Sequence, residues 1–269
     1  MKKPNCRVHI VGISPRTGTT LLAESMAVCF DIDHCEEHER GFSNLKRARG
    51  TYLTKRPSDL NLIEPRLRLD RRFWAICLMR DPRDVIVSRH GKNRDQYWAP
   101  LRIWKSRLQL YHRLYNHPRF LAIRYEELVS RPDRVQRRIE AAMPFLTRKA
   151  DFSEFHQLAK PSDASIKALG DVRPINPSSI GNWRQNTARV AGQIALHGSI
   201  SEELVELGYE KDDQWMGLLE GVEPDTREYA ISRYAKPRTR LQKLKRKLWT
   251  AYPAGGVGFT CDRLNIPFL

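Results

Sequence analysis

The sequence predicts an α/β domain built on a parallel sheet, and three observations carry that expectation. Near-continuous apolar runs of strand length recur through the first half of the chain; helix-like segments with apolar faces separate them; and 269 residues at 41% hydrophobic supply enough material for one large core or two small ones.

Arg7-Val8-His9-Ile10-Val11-Gly12 is a β-branched run closed by glycine. Phe73-Trp74-Ala75-Ile76-Cys77-Leu78-Met79 and Phe120-Leu121-Ala122-Ile123 are apolar throughout, as strands covered on both faces are. Between them, 20–30 is apolar nearly all round, and Leu101, Trp104, Leu108, Tyr111 and Leu114 keep helical spacing. Val135, Ile139, Ala142 and Met143 mark a further helix after Pro132, and 201–207 reads as a short capped helix stopped by Gly208. From about residue 150 the strand signal fades, and the proline-rich 161–177 stretch is expected to be a long loop that covers a site.

The charge balance is +16, from 47 Lys and Arg against 31 Asp and Glu, so the surface potential favours an anionic ligand, an acidic polymer or an anionic membrane, without saying which. Full disorder is excluded by composition. No run approaches the roughly 18 apolar residues of a membrane span, and Met1-Lys2-Lys3 leads into no apolar leader core, so the expected location is cytoplasmic. The five cysteines (Cys6, Cys29, Cys35, Cys77, Cys261) are odd in number and scattered, which argues against a disulfide framework or a four-cysteine zinc site. Residues 221–269 are expected to form a basic C-terminal extension to a domain spanning 1–220. Within it, 236–247 carries seven Lys or Arg and no acid, with Leu241, Leu244 and Leu248 on one face, a pattern fit for peripheral membrane contact or for a solvated helix.

Gly12-Ile13-Ser14-Pro15-Arg16-Thr17-Gly18-Thr19-Thr20 lies between the first strand and an apolar helix, where backbone N–H groups and the helix dipole converge on an anion. It is not a Walker A loop: Gly18 is followed by Thr19 rather than Lys, and the fixed cation, Arg16, precedes the glycine. A second cation ends the next strong strand, in Leu78-Met79-Arg80-Asp81-Pro82-Arg83-Asp84-Val85-Ile86-Val87-Ser88. Guanidinium holds phosphate as a fork and a hydroxyl adds a neutral donor.

Pro15-Arg16-Thr17-Gly18-Thr19-Thr20 together with Arg80 and Ser88 resembles the sulfotransferases that use 3′-phosphoadenosine 5′-phosphosulfate (PAPS). The resemblance covers about 7–210 and implies a P-loop-NTPase-like three-layer α/β/α fold with a central parallel sheet. It further implies that Arg16, Thr17, Gly18, Thr19 and Thr20 hold the 5′-phosphosulfate and that Arg80 and Ser88 hold the 3′-phosphate. Tyr125, in Ile123-Arg124-Tyr125-Glu126-Glu127-Leu128, and Trp183, in Ser178-Ser179-Ile180-Gly181-Asn182-Trp183-Arg184, resemble later elements that contact the nucleotide.

Sulfuryl transfer needs charge neutralisation and a base for the acceptor proton. Arg16 and the Thr19 and Thr20 hydroxyls suit the first task. The loop and Cys35-Glu36-Glu37 are similar to the tyrosylprotein sulfotransferase branch, which implies a catalytic glutamate; Glu37 is the expected base, with Glu36, His34 and His38 as alternatives. His34-Cys35-Glu36-Glu37-His38 also fits a His-x-x-Glu-His zinc motif, but that motif requires a helix with a buried face that this polar stretch lacks, so no metal is expected.

The expected activity is therefore transfer of a sulfuryl group from PAPS to a hydroxyl or amine, releasing 3′,5′-adenosine bisphosphate. The acceptor (glycan, peptide or lipid) is not legible. A rim of Arg66, Arg68, Arg71, Arg72, Arg89, Lys92 and Arg94 is expected to gather an acidic acceptor or the nucleotide itself. Two competing readings are a kinase-like phosphotransferase, which the missing Gly-Lys-Ser/Thr argues against, and a non-catalytic basic module for nucleic acid or anionic lipid. No nucleic-acid motif is present, and no such partner is expected.

Overall fold

The structure is a computed structural model that describes residues 5–36, 39, 41–42, 49–89, 95–160, 162–163, 165–166 and 172–227. Five strands form one sheet in the order β2-β3-β1-β4-β5, every pairing parallel: β1 (Arg7–Gly12), β2 (His34–Cys35), β3 (Tyr52–Lys55), β4 (Phe73–Met79) and β5 (Phe120–Arg124). The helices are α1 (Thr19–Cys29), α2 (Ile63–Leu69), α3 (Pro82–Ile86), α4 (Leu101–Tyr115), α5 (Tyr125–Ser130), α6 (Pro132–Ala142), α7 (Phe155–Leu158), α8 (Thr187–His197) and α9 (Ser201–Glu206). Short 3-10 turns at Pro57–Leu62, Asn182–Gln185 and Gln214–Leu219 join them.

The alternating pleat of β4 explains the three layers. Phe73, Ala75, Cys77 and Met79 face one side and pack with Leu67 of α2 and Trp104, Leu108 and Tyr111 of α4. Ile76 and Leu78 face the other and pack with Leu22 and Met26 of α1, Leu128 of α5 and Val135 and Ile139 of α6. A third cluster, of Ile86, Leu101, Trp183, Val190, Leu204 and Trp215, extends the core beside α3. The α/β/α architecture expected from the sequence is thus the one observed.

Two strands escape the sequence reading. β2 has only two residues, and β3 (Tyr-Leu-Thr-Lys) is buried at all four positions without being an apolar run. β3 pairs with β1, Arg7 opposite Tyr52, and β2 adds to β3 as the edge strand, His34 opposite Tyr52. No strand follows β5 among the described residues. Residues 222–227 lie against α8: the Asp225 amide donates to the Ala188 carbonyl at 2.8 Å, and Gly192 leaves no room for a Cβ, which would sit 2.2 Å from the Asp225 oxygen. Residues 228–269, which include the basic stretch, lie outside the described residues. No described helix is long and apolar enough to cross a membrane.

The expected basic rim needs correction. Arg66, Arg68, Arg71 and Arg72 precede β4, and the Arg72 carbonyl accepts from the Arg7 amide at the start of β1 (2.9 Å). In a parallel sheet all strand starts share one edge, so these arginines lie about 20 Å from the phosphate loop by strand rise. Arg66 is buried and 3.9 Å from Asp70 within the same helix turn. Lys92 and Arg94 lie outside the described residues.

Candidate functional site

The order of the sheet reverses around β1, which lies between β3 and β4, and the loop after β1 occupies the carboxyl edge of that switch point, where α/β sheets bind ligands. The loop is wound tightly over Gly12: a Cβ there would lie 2.3 Å from Thr17 Oγ1 and 2.7 Å from the Ser14 carbonyl oxygen. Thr17 Oγ1 donates to that carbonyl at 3.0 Å and is fully buried, so any ligand contact at position 17 falls to the backbone. Arg16 has φ 68°, a left-handed conformation that costs a non-glycine residue about 1 kcal/mol or more. Gly18, at φ 88°, precedes the first turn of α1, whose amides no side chain caps. A Cβ on Gly18 would lie 2.4 Å from the Tyr125 ring.

The strand-end cations converge on this loop. Arg80, following β4, donates from Nη1 to the Arg16 carbonyl (3.0 Å) and from Nη2 to the Ser179 carbonyl (2.9 Å), and its guanidinium stacks 4.2 Å over the Tyr125 ring. Its Nε is buried and has no hydrogen-bond partner among the described residues, which leaves that donor open to a ligand. Arg16 Nε donates to Ser88 Oγ at 2.8 Å, and its guanidinium lies 5.9 Å from the Trp98 ring. The Ser88 hydroxyl therefore meets Arg80 through Arg16 rather than directly. Burial, then the neighbouring charge of Arg80, pushes the Arg16 pKa down from the usual arginine value, so an anion between the two would relieve both.

Lys55 is the group that sequence reading missed. It ends β3 as Arg80 follows β4, so both reach the same sheet edge, and its Nζ donates to Thr20 Oγ1 at 3.0 Å. Only Glu39, 3.7 Å away, pairs with it among the described carboxylates. Burial holds the Lys55 pKa below the usual lysine range, against the pull of Glu39 and Glu24. The signal in the sequence was slight: a lysine closing a four-residue buried stretch immediately before Arg56-Pro57.

The structure thus brings Arg16, Thr17, Gly18, Thr19, Thr20, Arg80, Ser88 and Tyr125 to one edge. Trp183 belongs to the third core cluster: its indole is 1% exposed, lies 5.9 Å edge-to-face from Trp215, and has the Arg83 guanidinium 4.1 Å over its ring. Glu37 and His38 lie outside the described residues. Glu36 continues β2 along β3, its amide donating to the Leu53 carbonyl (3.1 Å), in the direction of Lys55. His34 sits at the other end of that pairing, stacked 4.3 Å on Tyr52 with Nε2 at 3.1 Å from the Arg49 carbonyl. His34 and Cys35 are strand, not the helix a His-x-x-Glu-His zinc site requires.

Fold and site together define an α/β/α protein in which two guanidinium groups, the buried Arg80 and the half-buried Arg16, converge on a strand-to-helix loop. No family model and no curated protein matches the chain. Among solved structures, it is similar to mouse sulfotransferase SULT7A1 complexed with PAP, at 14% identity and TM-score 0.46, over 78% of this chain and 90% of that one. The sulfotransferase domain from the curacin biosynthetic pathway matches at 17% identity and TM-score 0.43, over 68% of this chain and 92% of that one. Retinol dehydratase in complex with androsterone and inactive cofactor PAP matches at 12% identity and TM-score 0.37, over 83% of each chain.

Proposed function

We propose that the protein is a sulfotransferase that moves a sulfuryl group from PAPS to a hydroxyl, or to an amine, of its acceptor. The observation that carries this reading is the joining of two cations from distant parts of the chain, Arg16 in the loop and Arg80 after β4, with an Arg80 Nε that has no partner among the described residues and with α1 amides that no side chain caps beside them. That set fits a nucleotide with an anionic group at each end of its ribose. PAPS supplies the sulfuryl group on a good phosphate leaving group.

In this reading the α1 amides and Arg16 bind the 5′-phosphosulfate, and Arg80, with Ser88 orienting Arg16, serves the 3′-phosphate. Lys55 and Thr20 face the transferred group from the β3 side and neutralise the charge that builds on its oxygens. Glu37 takes the acceptor proton, with Glu36 as its neighbour in sequence. The register of β2 along β3 supports this assignment over His34, because the chain at Glu36 runs toward Lys55 while His34 pairs with Tyr52, three residues before Lys55 on β3. Trp183 acts as the anchor of the 178–184 segment, which covers the nucleotide.

Calorimetry with 3′,5′-adenosine bisphosphate and AMP tests the reading. At least tenfold tighter binding of the bisphosphate is expected, because only it presents a 3′-phosphate to Arg80. Equal affinities would remove the cofactor assignment. With PAPS and hydroxyl acceptors drawn from glycans, tyrosine peptides and lipids, release of the bisphosphate then identifies the acceptor class.

A further inference from the structure

The Arg80 guanidinium does not hold its place alone. One of its two hydrogen bonds ends on the Ser179 carbonyl, and the ring beneath it, Tyr125, is itself tied by its hydroxyl to Ser179 Oγ at 2.6 Å. Whatever fixes Ser179 therefore fixes the geometry of Arg80. Ser179 sits in a turn closed by the Ile180 amide on the Pro177 carbonyl (2.9 Å), just before the 3-10 turn Asn182–Gln185, and these local bonds leave the docking of the segment against the sheet edge to longer-range contacts. The downstream end of the segment is held by Trp183 in the core. The stretch from Gly181 to Trp183, just after Ser179, is also held from α3: Asp84 Oδ2 accepts the Gly181 amide at 2.8 Å and Oδ1 accepts the Trp183 amide at 3.0 Å. Asp84 is 2% exposed, and both of its oxygens are spent on these two amides.

We propose that Asp84 is a positioning residue whose carboxylate latches residues 179–183 over the site, so that Ser179 fixes Arg80 and Tyr125 in the geometry that receives the 3′-phosphate. The proposal rests on the sulfotransferase reading and extends it to a residue that touches no part of the nucleotide. Its chemistry is specific to a carboxylate. Two N–H donors converge on the two oxygens of one side chain, and an amide replaces one of those oxygens with an NH₂, so Asp84→Asn keeps the shape, loses one hydrogen bond and sets an N–H against an N–H. Trp183 keeps its core packing in that variant, which confines the effect to the turn at Gly181 and to Ser179. Burial raises the Asp84 pKa, against the pull of the Gly181 amide and of Arg80, which fits a carboxylate kept in the interior for what it binds.

The test is calorimetry on full-length wild type and D84N with 3′,5′-adenosine bisphosphate and with AMP. D84N is expected to bind the bisphosphate at least tenfold more weakly than wild type and AMP within threefold of wild type, so that the preference for the 3′-phosphate collapses. A wild-type protein with no such preference would defeat the cofactor reading. A wild type that prefers the bisphosphate beside a D84N that keeps the same preference would defeat the latch alone. So would equal weakening toward both ligands, which is the mark of general loosening. Should D84N fail to fold, hydrogen exchange on the wild-type complex decides: the Gly181 and Trp183 amides are expected to be protected and to slow further when the bisphosphate binds, and exchange of both at the free-peptide rate would overturn the proposal.

Discussion

Arg80 donates to the main-chain carbonyl of Arg16, at 3.0 Å, across 64 residues of sequence. The cation after β4 thereby braces the one loop residue with a left-handed, non-glycine backbone. Arg16 is half-buried beside the charge of Arg80, which adds to the burial that holds its pKa below the usual arginine value. Binding at this site is expected to be both electrostatic and conformational, and the predictions below separate the two.

Arg80→Lys keeps the charge and loses the fork. Lysine is a point charge on a flexible stem and cannot span the Arg16 and Ser179 carbonyls while presenting a third donor to a ligand. Bisphosphate affinity is expected to fall about tenfold or more, in line with about 1.5–3 kcal/mol for a charge-assisted hydrogen bond. Arg80→Ala is expected to remove nearly all of it. Titration calorimetry at fixed salt reads both.

Lys55→Met should divide binding from chemistry. Its Nζ contacts Thr20 rather than Arg80 or Ser88, so bisphosphate affinity is expected to stay within about threefold. Sulfuryl transfer is expected to fall by about 10²-fold or more, the usual scale for losing one preorganised donor at a developing charge. Binding and single-turnover rates measured on the same preparation make the comparison. An equal loss in both would place Lys55 in nucleotide affinity instead.

The difference between the two cations also shows what was legible. β1, β4 and β5 are apolar runs long enough to stand out, and Arg16 and Arg80 flank two of them, so the loop, the second cation and the layer order were readable from pattern and resemblance. β2 and β3 were not, because pairing to neighbouring strands rather than apolar content makes them strands, and Lys55 was hidden with them. Ser179 and Asp84 act through contacts 99 and 97 residues apart in sequence, which no local spacing encodes. The arginines at 66–72 were assigned to the wrong edge because a charge count carries no strand direction; the parallel register of β1 with β4 supplies it.

Gly18→Ala probes the loop without touching a charge. The added Cβ would sit 2.4 Å from the Tyr125 ring at a backbone angle of φ 88°, so both the ring and the turn must shift. The backbone strain alone costs about 1 kcal/mol or more, and displacing Tyr125 disturbs the stack under Arg80. A lower melting temperature and weakened bisphosphate binding are expected together. A variant with wild-type affinity would show that the Tyr125 contact is packing only.

His9 gives the fold an acid-sensitive point beneath the site. Its ring is fully buried in β1, with Nδ1 2.7 Å from Thr54 Oγ1, Nε2 3.5 Å from Asp59 and the rings of Phe42 and Phe73 against it. Burial lowers its pKa, only partly offset by Asp59 and the Thr54 contact, and Arg56 adds to the depression. The folded state therefore keeps His9 neutral while the unfolded chain takes up a proton near pH 6.5. Stability is fully present above that value and is lost as pH falls from about 6.5 toward the depressed folded pKa, at about 1.4 kcal/mol per unit of depression. His117 and His197 shift in the same direction but are far less buried, so His9 is expected to dominate the slope. Urea unfolding between pH 7.5 and 5 should show wild type losing stability steeply and His9→Gln losing much less; parallel curves for the two proteins would mean that His9 is already protonated in the native state.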